Sequence, residues 1–233
     1  QETNIVDLVK PITKYTVQVT NAEELKVELA KAYSIALEDR KGPVLIDVPM
    51  DVQQEEVDDE VLIPELALEH LDLDVCKTTI KNFFKDSNQP LVLLGAGPGL
   101  SGQSEEVIEW LALNSIPFVS SWNGMCFIKS DNKNYYGNIG VYGNRGANFI
   151  LQSCDKLLVL GSRLDNRQRG SNVDTFAPLA DVLVIDVDEE ELKKHLNEPR
   201  YRIQKFNFKF SKDLFRKFSV RFSTDNIQWK LFC

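Results

Sequence analysis

The sequence predicts an α/β protein built around a doubly wound parallel sheet, with the C-terminal part of another α/β domain before it. Continuous apolar runs of strand length recur after residue 90, which is typical of strands buried on both faces of a sheet. Segments with helical spacing of apolar residues separate these runs, and strands that alternate with helices form parallel sheets. Near the start of the chain, one helix pattern and one apolar run predict the end of a separate unit.

The first predicted unit covers residues 1–52. Thr20 and Glu23 have the spacing of a capping box. The helical face that follows consists of Leu25, Leu29, Ala32 and Ala36. The run VLIDV at residues 44–48 predicts a strand buried on both faces. Because one helix and one strand cannot form a domain, we expect this sequence to be a piece of a longer polypeptide that supplies the missing strands.

An acidic segment separates the two predicted units. Ten acidic side chains and no Lys or Arg lie within residues 51–74, and such a run of like charges is typical of a solvated connection. We therefore predict a linker over residues 53–74. The spacing of these carboxylates does not suggest that they converge, so no metal site is predicted.

Residues 75–215 form the main predicted domain. Helix patterns cover residues 75–84, 102–113, 144–153 and 189–196. Strand patterns cover residues 91–95, 116–121, 156–161 and 181–187. Further on, alternating phenylalanines at 206, 208 and 210 predict a last strand with one buried face, and residues 212–218 predict a helix.

Composition excludes several classes of function. The formal net charge of −8 argues against nucleic acid as a partner, and no apolar run has the length of a membrane span. The cysteines lack CxxC spacing, which favours free thiols in a reducing compartment, and we expect the cytoplasm. With two histidines and no GxSxG motif, the chain is not expected to be a serine hydrolase.

A glycine-rich loop, GAGPG at residues 95–99, joins the first strand of the main domain to a helix. In that position, glycine lets backbone N–H groups approach a pyrophosphate at the helix N-terminus. A tight strand-to-helix turn is the alternative. The next strand ends in Ser120, Ser121 and Trp122. It lacks the acidic residue that holds an adenosine ribose, which disfavours an ordinary nicotinamide dinucleotide site.

Charged side chains follow two further predicted strands. Arg163, Asp165 and Arg167 come just after one strand, and Asp186 ends the next. Because the carboxyl ends of parallel strands share one edge of the sheet, we expect these groups to converge on a cofactor with phosphate and ribose. A local Arg–Asp salt bridge is the alternative for the first group. A helix cap is the alternative for Asp186, although Asp188 fills that role better.

Four stretches of the chain resemble thiamine-diphosphate-dependent enzymes of the acetolactate synthase type. They are PITKYTVQVTNAEEL, RKGPVLIDVPMDVQ, GNIGVYGNRGAN, and GSRLDNRQRG with FAPLADVLVIDVDEEEL after it. The resemblance implies that residues 1–52 end a pyrimidine-binding domain and that residues 75–215 are a Rossmann-like central domain. It also implies that residues 216–233 begin the linker to a diphosphate-binding domain.

The resemblance further implies an activity and a set of cofactor contacts. The parent enzyme would use thiamine diphosphate and Mg²⁺ to decarboxylate a 2-ketoacid and ligate the carbanion to a second carbonyl, as a homodimer or homotetramer. Such enzymes serve branched-chain amino acid biosynthesis and hold FAD in the central domain in a structural role. Alone, this piece would be inactive.

The resemblance also implies roles for particular residues. Arg167 would help to select the acceptor 2-ketoacid, and Gln1 would lie next to the thiamine site. The residues implied to contact FAD are Arg40, Gly95, Ala96, Gly97, Ile139, Gly140, Gly161, Ser162, Arg163, Asp165, Asp186 and Val187.

Four residues depart from the family pattern. Met50 stands in place of a lysine, Asn166 in place of an aspartate, and Val141–Tyr142 in place of a Met–His pair. A relative that uses another 2-ketoacid or acceptor, or a central domain without FAD, therefore stays open. Two other functions also stay open: a non-ligating thiamine-dependent decarboxylase or oxidase, and a non-catalytic nucleotide-binding module.

Overall fold

The computed structural model describes residues 3–56 and 73–205, without the side chains of residues 73 and 74. The chain divides into two compact units, Gln1–Glu69 and His70–Cys233. Most of the acidic linker, Gln1, and the elements predicted beyond residue 205 lie outside the described residues. Within the described residues, no helix has the length and apolar character that a membrane span requires.

The first unit contains two helices and a short parallel sheet in its described part. Its elements in chain order are α1 (Ile5–Val9), β1 (Tyr15–Gln18), α2 (Ala22–Leu37) and β2 (Val44–Asp47). Strands β1 and β2 pair in parallel, with Tyr15 opposite Val44. Strand β1 was not predicted from the sequence. The prediction that β2 is buried on both faces was wrong, because all of its residues are half-buried within the described chain.

The start of α2 differs by one residue from the predicted capping box. Asn21 is the N-cap, and its side-chain oxygen accepts from the Glu24 amide at 2.8 Å. The Glu24 carboxylate accepts in turn from the Thr20 amide at 2.8 Å. Because asparagine caps a helix as well as threonine does, the N-cap is Asn21 rather than the predicted Thr20. The predicted apolar face was also wrong at Leu29, which is 49% exposed, because α2 buries its alanines instead.

The second unit is a six-stranded parallel sheet covered by helices. Its helices are α3 (Leu73–Phe84), α4 (Gly97–Leu100), α5 (Ser104–Leu113), α6 (Arg145–Ser153), α7 (Asn166–Arg169) and α8 (Glu189–Lys193). Its strands are β3 (Pro90–Leu94), β4 (Phe118–Ser120), β5 (Tyr135–Asn138), β6 (Lys156–Leu160), β7 (Asp181–Asp186) and β8 (Tyr201–Lys205). The order across the sheet is β5-β4-β3-β6-β7-β8, and every pair is parallel. This confirms the predicted fold class, and the order matches that of dinucleotide-binding sheets.

The central strands alternate their side chains between two apolar cores. On one face, Val92 and Leu94 of β3 pack with α3 and α5 around Trp110. On the other face, Leu91 and Leu93 pack with α6 and α8. Burial on both faces explains why β3, β6 and β7 appear as continuous apolar runs in the sequence. It also shows that the sheet is doubly wound, as predicted.

The two edge strands, β5 and β8, were missed as such in the sequence. Strand β5 has the sequence YYGN, and its residues are half-buried or exposed. Strand β8 has the sequence YRIQK, with only Tyr201 buried. An edge strand does not need a continuous apolar run, since it is covered less completely than the strands inside the sheet. Both strands therefore lack the signal that identified the central ones.

Candidate functional site

The candidate site lies at the carboxyl edge of the six-stranded sheet. The chain connections reverse direction between β3 and β6, which are neighbours in the sheet. In doubly wound sheets, ligands bind at such a reversal, beyond the carboxyl ends of the strands. Gly95 follows β3 and Gly161 follows β6, so two of the predicted site residues meet at this point.

The GAGPG loop packs against the end of β6. The Gly95 amide donates to the Leu160 carbonyl at 2.8 Å, and the Gly97 amide donates to the Gly161 carbonyl at 3.0 Å. A Cβ atom on Gly95 would lie 1.9 Å from the Gly161 oxygen. The absence of a side chain at these glycines therefore allows the backbone of the loop to lie close to the backbone after β6. Both amides already donate to carbonyl groups of the protein. Gly95 and Gly97 thus form the tight strand-to-helix turn that was the alternative prediction. Their contact with a cofactor stays a prediction.

The loop after β5 is held in place by Asn148 of α6. The Gly140 amide donates to Asn148 Oδ1 at 2.9 Å, and Asn148 Nδ2 donates to the Gly140 carbonyl at 3.0 Å. Gly140 has φ +100°, and a Cβ there would lie 2.5 Å from the Arg167 carbonyl oxygen. The Val141 amide donates to that same carbonyl at 3.0 Å. Asn148 was not among the site residues predicted from the sequence. Asparagine is a poor helix former, so its place within α6 is a signal that could have indicated a role.

The turn after β6 directs Arg167 outward. The side chain of Asp165 caps α7, because its Oδ1 accepts from the Arg167 amide at 2.9 Å and the Gln168 amide at 3.1 Å. Ser162 Oγ donates to Gln168 Oε1 at 2.8 Å and ties the turn together. Arg167 is exposed, and no carboxylate of the described residues lies within 4.0 Å of its guanidinium. The turn thus presents a cation without an ion-pair partner in the described chain.

Arg163, four residues earlier, points to α8 instead. Its Nε and Nη2 lie 3.0 and 2.9 Å from Glu191 Oε1, and Lys194 contacts the other carboxylate oxygen. Burial by itself would raise the pKa of Glu191, but the hydrogen bonds from Lys194 and Arg163 outweigh burial and lower it. Arg163 therefore has its ion-pair partner on α8, and its convergence with Arg167 on a cofactor stays a prediction. Its partner is a glutamate on a neighbouring helix rather than the local aspartate.

Asp186 ends β7 as a buried carboxylate. Its Oδ1 accepts from the Asp188 amide at 3.0 Å. Asp188 is the N-cap of α8, because its own Oδ1 accepts from the amides of Glu190 and Glu191. The assignment of the cap to Asp188 is confirmed. The contact of Asp186 and Val187 with a ribose stays a prediction.

A cleft of about 370 Å³ opens between the loops after β4 and β5 and the start of α7. It is lined by Ser121, Trp122, Asn123, Ile139, Val141, Tyr142, Asp165, Arg167 and Gln168. Of the predicted site residues, Ile139, Asp165 and Arg167 line this cleft. Trp122 and Tyr142, which we had not predicted as site residues, form an edge-to-face aromatic pair with ring centroids 6.2 Å apart.

The remaining predicted site residues are distributed as follows. Gly95, Ala96, Gly97, Gly161 and Ser162 form the packed turns between β3 and β6. Arg40 lies in the first unit, beyond the end of α2. Gln1 lies outside the described residues. In the described parts of the chain, no three His, Cys, Asp or Glu side chains come together as metal ligands would.

Comparison with known proteins identifies the family of this chain. The family described as "Thiamine pyrophosphate enzyme, central domain" matches residues 78–205. The large subunit of acetolactate synthase isozyme 2 from Escherichia coli (strain K12) is 31% identical over 198 residues, which are 83% of this chain and 35% of that protein.

Two further relatives give the same result. The probable acetolactate synthase large subunit of Methanocaldococcus jannaschii is 31% identical over 84% of this chain and 34% of its own length. Acetolactate synthase 2, chloroplastic, of Nicotiana tabacum is 32% identical over 84% of this chain and 30% of its own length. The chain thus spans about a third of the length of the curated relatives it matches. With the parallel sheet and its strand order, these matches show that the chain belongs to the thiamine pyrophosphate enzyme family and carries its central domain.

Proposed function

We propose that this chain is part of a thiamine-diphosphate-dependent enzyme that decarboxylates a 2-ketoacid and ligates the product to a second carbonyl, as an acetolactate synthase does. The observation that carries the proposal is about 31% identity to acetolactate synthase large subunits over more than four fifths of the chain. A match of that extent includes both units, since it is longer than the 164 residues of His70–Cys233. We further propose residues 1–52 as the end of a pyrimidine-binding domain, 53–74 as a linker and 75–215 as the central domain.

Thiamine diphosphate would supply an electron sink for the bond-breaking step. We assign the thiamine diphosphate and Mg²⁺ sites mainly to parts of the parent enzyme other than the described residues, which contain no cluster of metal ligands. The described residues would contribute binding and orientation. Arg167 provides a cation at the cleft, and Ile139 and Val141 provide apolar surface in its lining.

We also propose that FAD binds at the carboxyl edge of the sheet. The fit rests on the donor set: Arg167 has no ion-pair partner in the described chain, and it borders a cleft with two exposed aromatic rings. Flat rings and phosphates are what such side chains bind. Asp186 is buried at the tip of β7, on the same carboxyl edge of the sheet, where its carboxylate could accept from ribose hydroxyls. We propose a homodimeric or homotetrameric parent enzyme in the cytoplasm, with neither membrane nor nucleic acid as a partner.

The test is an assay of the native polypeptide that contains this sequence, with pyruvate, thiamine diphosphate and Mg²⁺. We expect CO₂ release together with a branched hydroxy-ketoacid product, and loss of both when thiamine diphosphate is omitted. CO₂ release with a free aldehyde would favour the non-ligating decarboxylase. CO₂ release with oxygen uptake would favour the oxidase. No turnover of any 2-ketoacid by the folded protein would favour the non-catalytic nucleotide-binding module.

A further inference from the structure

Three buried polar atoms lack a hydrogen bond of standard geometry within the described chain. They are Nε of Arg169 at the end of α7, Nδ1 of His195 just after α8, and the hydroxyl oxygen of Tyr201 at the start of β8. His195 is 1% exposed and Tyr201 is 9% exposed. Buried polar groups in folded proteins are hydrogen-bonded with few exceptions, to the protein, to water or to a ligand. Three such atoms on three different segments therefore point to a ligand that they share.

The three side chains are neighbours. The rings of His195 and Tyr201 stack almost parallel, with centroids 5.2 Å apart and planes inclined at 8°. Burial is the main reason why the pKa of His195 is lowered to about 4 and the pKa of Tyr201 is raised. Arg169 has the next largest effect on each pKa and acts to lower both, so its guanidinium lies beside both rings. We call these three side chains the buried polar cluster; none of them lines the cleft.

Positive charge is in excess around the buried polar cluster. The charged side chains that face it are Arg169, Lys194, Arg200, Glu191 and Glu198. Lys194 and Glu191 form an ion pair with each other. Arg200 donates to two backbone carbonyls, and neither Arg169 nor Arg200 has a carboxylate within 4.0 Å in the part of the chain that the structure describes. Two arginines without ion-pair partners there thus stand against one remaining carboxylate, that of Glu198.

The chemistry of the three atoms favours an anion as the shared ligand. Arg169 Nε can only donate, and a tyrosine hydroxyl and one nitrogen of a neutral imidazole can donate as well. A cation would be repelled by the guanidinium. A water molecule would satisfy hydrogen bonds but leave the excess positive charge without compensation, which is unfavourable in a buried position. An anion supplies both the acceptor and the charge.

We propose that the buried polar cluster binds a small inorganic anion of the size of chloride, held by Arg169 Nε, the Tyr201 hydroxyl and His195 Nδ1. A single-atom anion suits three donors, whereas the four oxygens of phosphate would need more partners in a buried position. The ion links the end of α7 to β8 and to the segment after α8. This site is separate from the cleft, and the proposal does not depend on the thiamine chemistry proposed above.

The test is urea denaturation of the full chain at constant ionic strength, with sodium gluconate replaced stepwise by sodium chloride. Gluconate is too large for a buried site of this kind. An ion that binds only the folded chain lowers the equilibrium constant of unfolding by the factor 1 + [ion]/Kd. We expect this constant to fall about tenfold between no chloride and about 0.1 M chloride, which corresponds to a Kd of about 10 mM.

Two variants remove parts of the site. Tyr201→Phe removes the hydroxyl but keeps the ring that stacks on His195. Loss of an unpartnered buried hydroxyl is not destabilising by itself, so we expect parent-like or higher stability in gluconate. In chloride, the tenfold effect should shrink to less than about threefold. Arg169→Gln removes the unpaired cation and should abolish the chloride effect.

Arg202→Gln is the matched control. Arg202 is an exposed arginine on β8, next to Tyr201 in the chain, and its loss should leave the chloride effect at about tenfold. A second measurement locates the ion. An anion beside His195 favours the protonated imidazole, so the pKa of His195, followed by nuclear magnetic resonance, should be higher in chloride than in gluconate. The same increase is expected in Arg202→Gln and not in Arg169→Gln.

Four results would overturn the proposal. An equilibrium constant that does not depend on chloride would favour a water molecule among the three side chains. Equal chloride dependence in the parent chain, Tyr201→Phe and Arg169→Gln would show an ion bound elsewhere, as would an unchanged pKa of His195. An equal loss in Arg169→Gln and Arg202→Gln would show a general effect of positive charge. None of these results bears on turnover of a 2-ketoacid, so this proposal and the proposed function fail separately.

Discussion

Two neighbouring regions of the carboxyl edge use similar residues in opposite ways. In the seam, formed by the turns after β3 and β6 and continued to α8, polar groups are bonded to the protein itself: Gly95 and Gly97 to carbonyls, and Arg163 to Glu191. In the cleft, Arg167 and two aromatic rings are exposed. Glycines and arginines at strand ends therefore do not identify a ligand site unless their hydrogen-bond and ion-pair partners within the protein are known.

Backbone contacts explain why Arg163 and Arg167 differ. Gly161 has φ +59° and Leu164 has φ +49°, so the chain turns sharply twice between the end of β6 and α7. Leu164 is buried and anchors this turn in the core beneath it. Arg163 therefore leaves the turn toward α8, whereas Arg167 leaves α7 beside the cleft. A non-glycine residue with positive φ is uncommon and is tolerated here because its side chain packs.

The largest effect is expected from a methyl group in the seam. Gly95→Ala would place Cβ 1.9 Å from the Gly161 oxygen, and both backbones are held by hydrogen bonds, so neither can move freely. We expect the free energy of unfolding to fall by about 3 kcal/mol in denaturant titrations followed by circular dichroism. Gly146→Ala on α6 is the matched control. No atom lies within 4 Å of its new Cβ, so we expect unchanged or slightly higher stability. Equal stability of the two variants would refute the close packing of the seam.

Acid should also destabilise the second unit through His195, which lies just after α8. This side chain is 1% exposed and stacks on Tyr201. Burial first, and then the charges of Arg169 and Lys194, lower its pKa from 6.5 to about 4. The unfolded chain therefore binds a proton below pH 6.5 that the folded chain does not bind until about pH 4.

The free energy of unfolding should fall as pH decreases from 6.5 to 4, and the loss should stop below that range. We expect this residue to account for about 2 kcal/mol, less than the full shift would give because solvent screens the neighbouring cations. In His195→Gln, the slope between pH 6.5 and 4 should be smaller than in the parent chain. Parallel pH profiles of the two proteins would show that His195 takes up its proton at the same pH in the folded and unfolded states, which contradicts the lowered pKa.

Removal of Arg163 tests the ionic part of the seam. Arg163→Gln leaves the mostly buried Glu191 with Lys194 as its charged partner, and we expect a loss of about 1.5 kcal/mol at neutral pH. The pKa of Glu191 is lowered in the folded state, so its contribution is present above its ordinary value near 4.5 and is lost as pH falls through the folded pKa. The difference between variant and parent should therefore be constant above that ordinary value and shrink as pH falls through the lowered pKa of the folded state.

Lys193→Gln is the control for this experiment. Lys193 contacts only the exposed Glu189 and Glu190 on its own helix among the ion pairs of the described chain. Surface pairs of this kind contribute little, so no measurable change is expected. An equal loss in the two variants would show that the seam gains nothing specific from the contact between Arg163 and Glu191.

The smallest effect on stability is expected at the cleft. Asn148→Ala removes both hydrogen bonds to Gly140, but alanine favours α6, so the net loss should be about 1 kcal/mol. Asn148→Asp keeps the acceptor and should lose less. Hydrogen exchange of the Gly140 amide should increase more in Asn148→Ala than in Gln152→Ala, a control on the same helix that contacts Thr175 instead. Unchanged exchange would mean that Asn148 does not hold the cleft wall.

Much of the fold could be predicted from the pattern of apolar residues in the sequence. Strands β3, β6 and β7 are buried on both faces, so they had to be continuous apolar runs, and the helices between them show the spacing of one buried face. The family could be identified because its motifs occur in order along the chain. Strands β5 and β8 could not be found in this way, because an edge strand has only part of its surface to bury.

The site was less predictable than the fold. GNIGVYGNRGAN indicated a functional loop, but the pattern could not show that Asn148 holds Gly140 or that Tyr142 meets Trp122, since the latter pair is 20 positions apart. GAGPG was consistent with both a phosphate loop and a packed turn. The closeness of Gly161, which follows another strand, shows the packed turn, and contact of the loop with a phosphate stays a prediction. Local sequence contains no information about that neighbour.

The sequence by itself determined which segments are buried, that the sheet is parallel, and that charged and glycine residues gather at one edge of it. These properties follow from burial and chain direction, which leave a periodic signal in the order of residues. The tertiary structure alone decided which arginine is neutralised and which one borders an open cleft. That choice depends on contacts between residues distant in sequence, where a shift of a few ångströms decides whether a guanidinium meets a carboxylate or solvent.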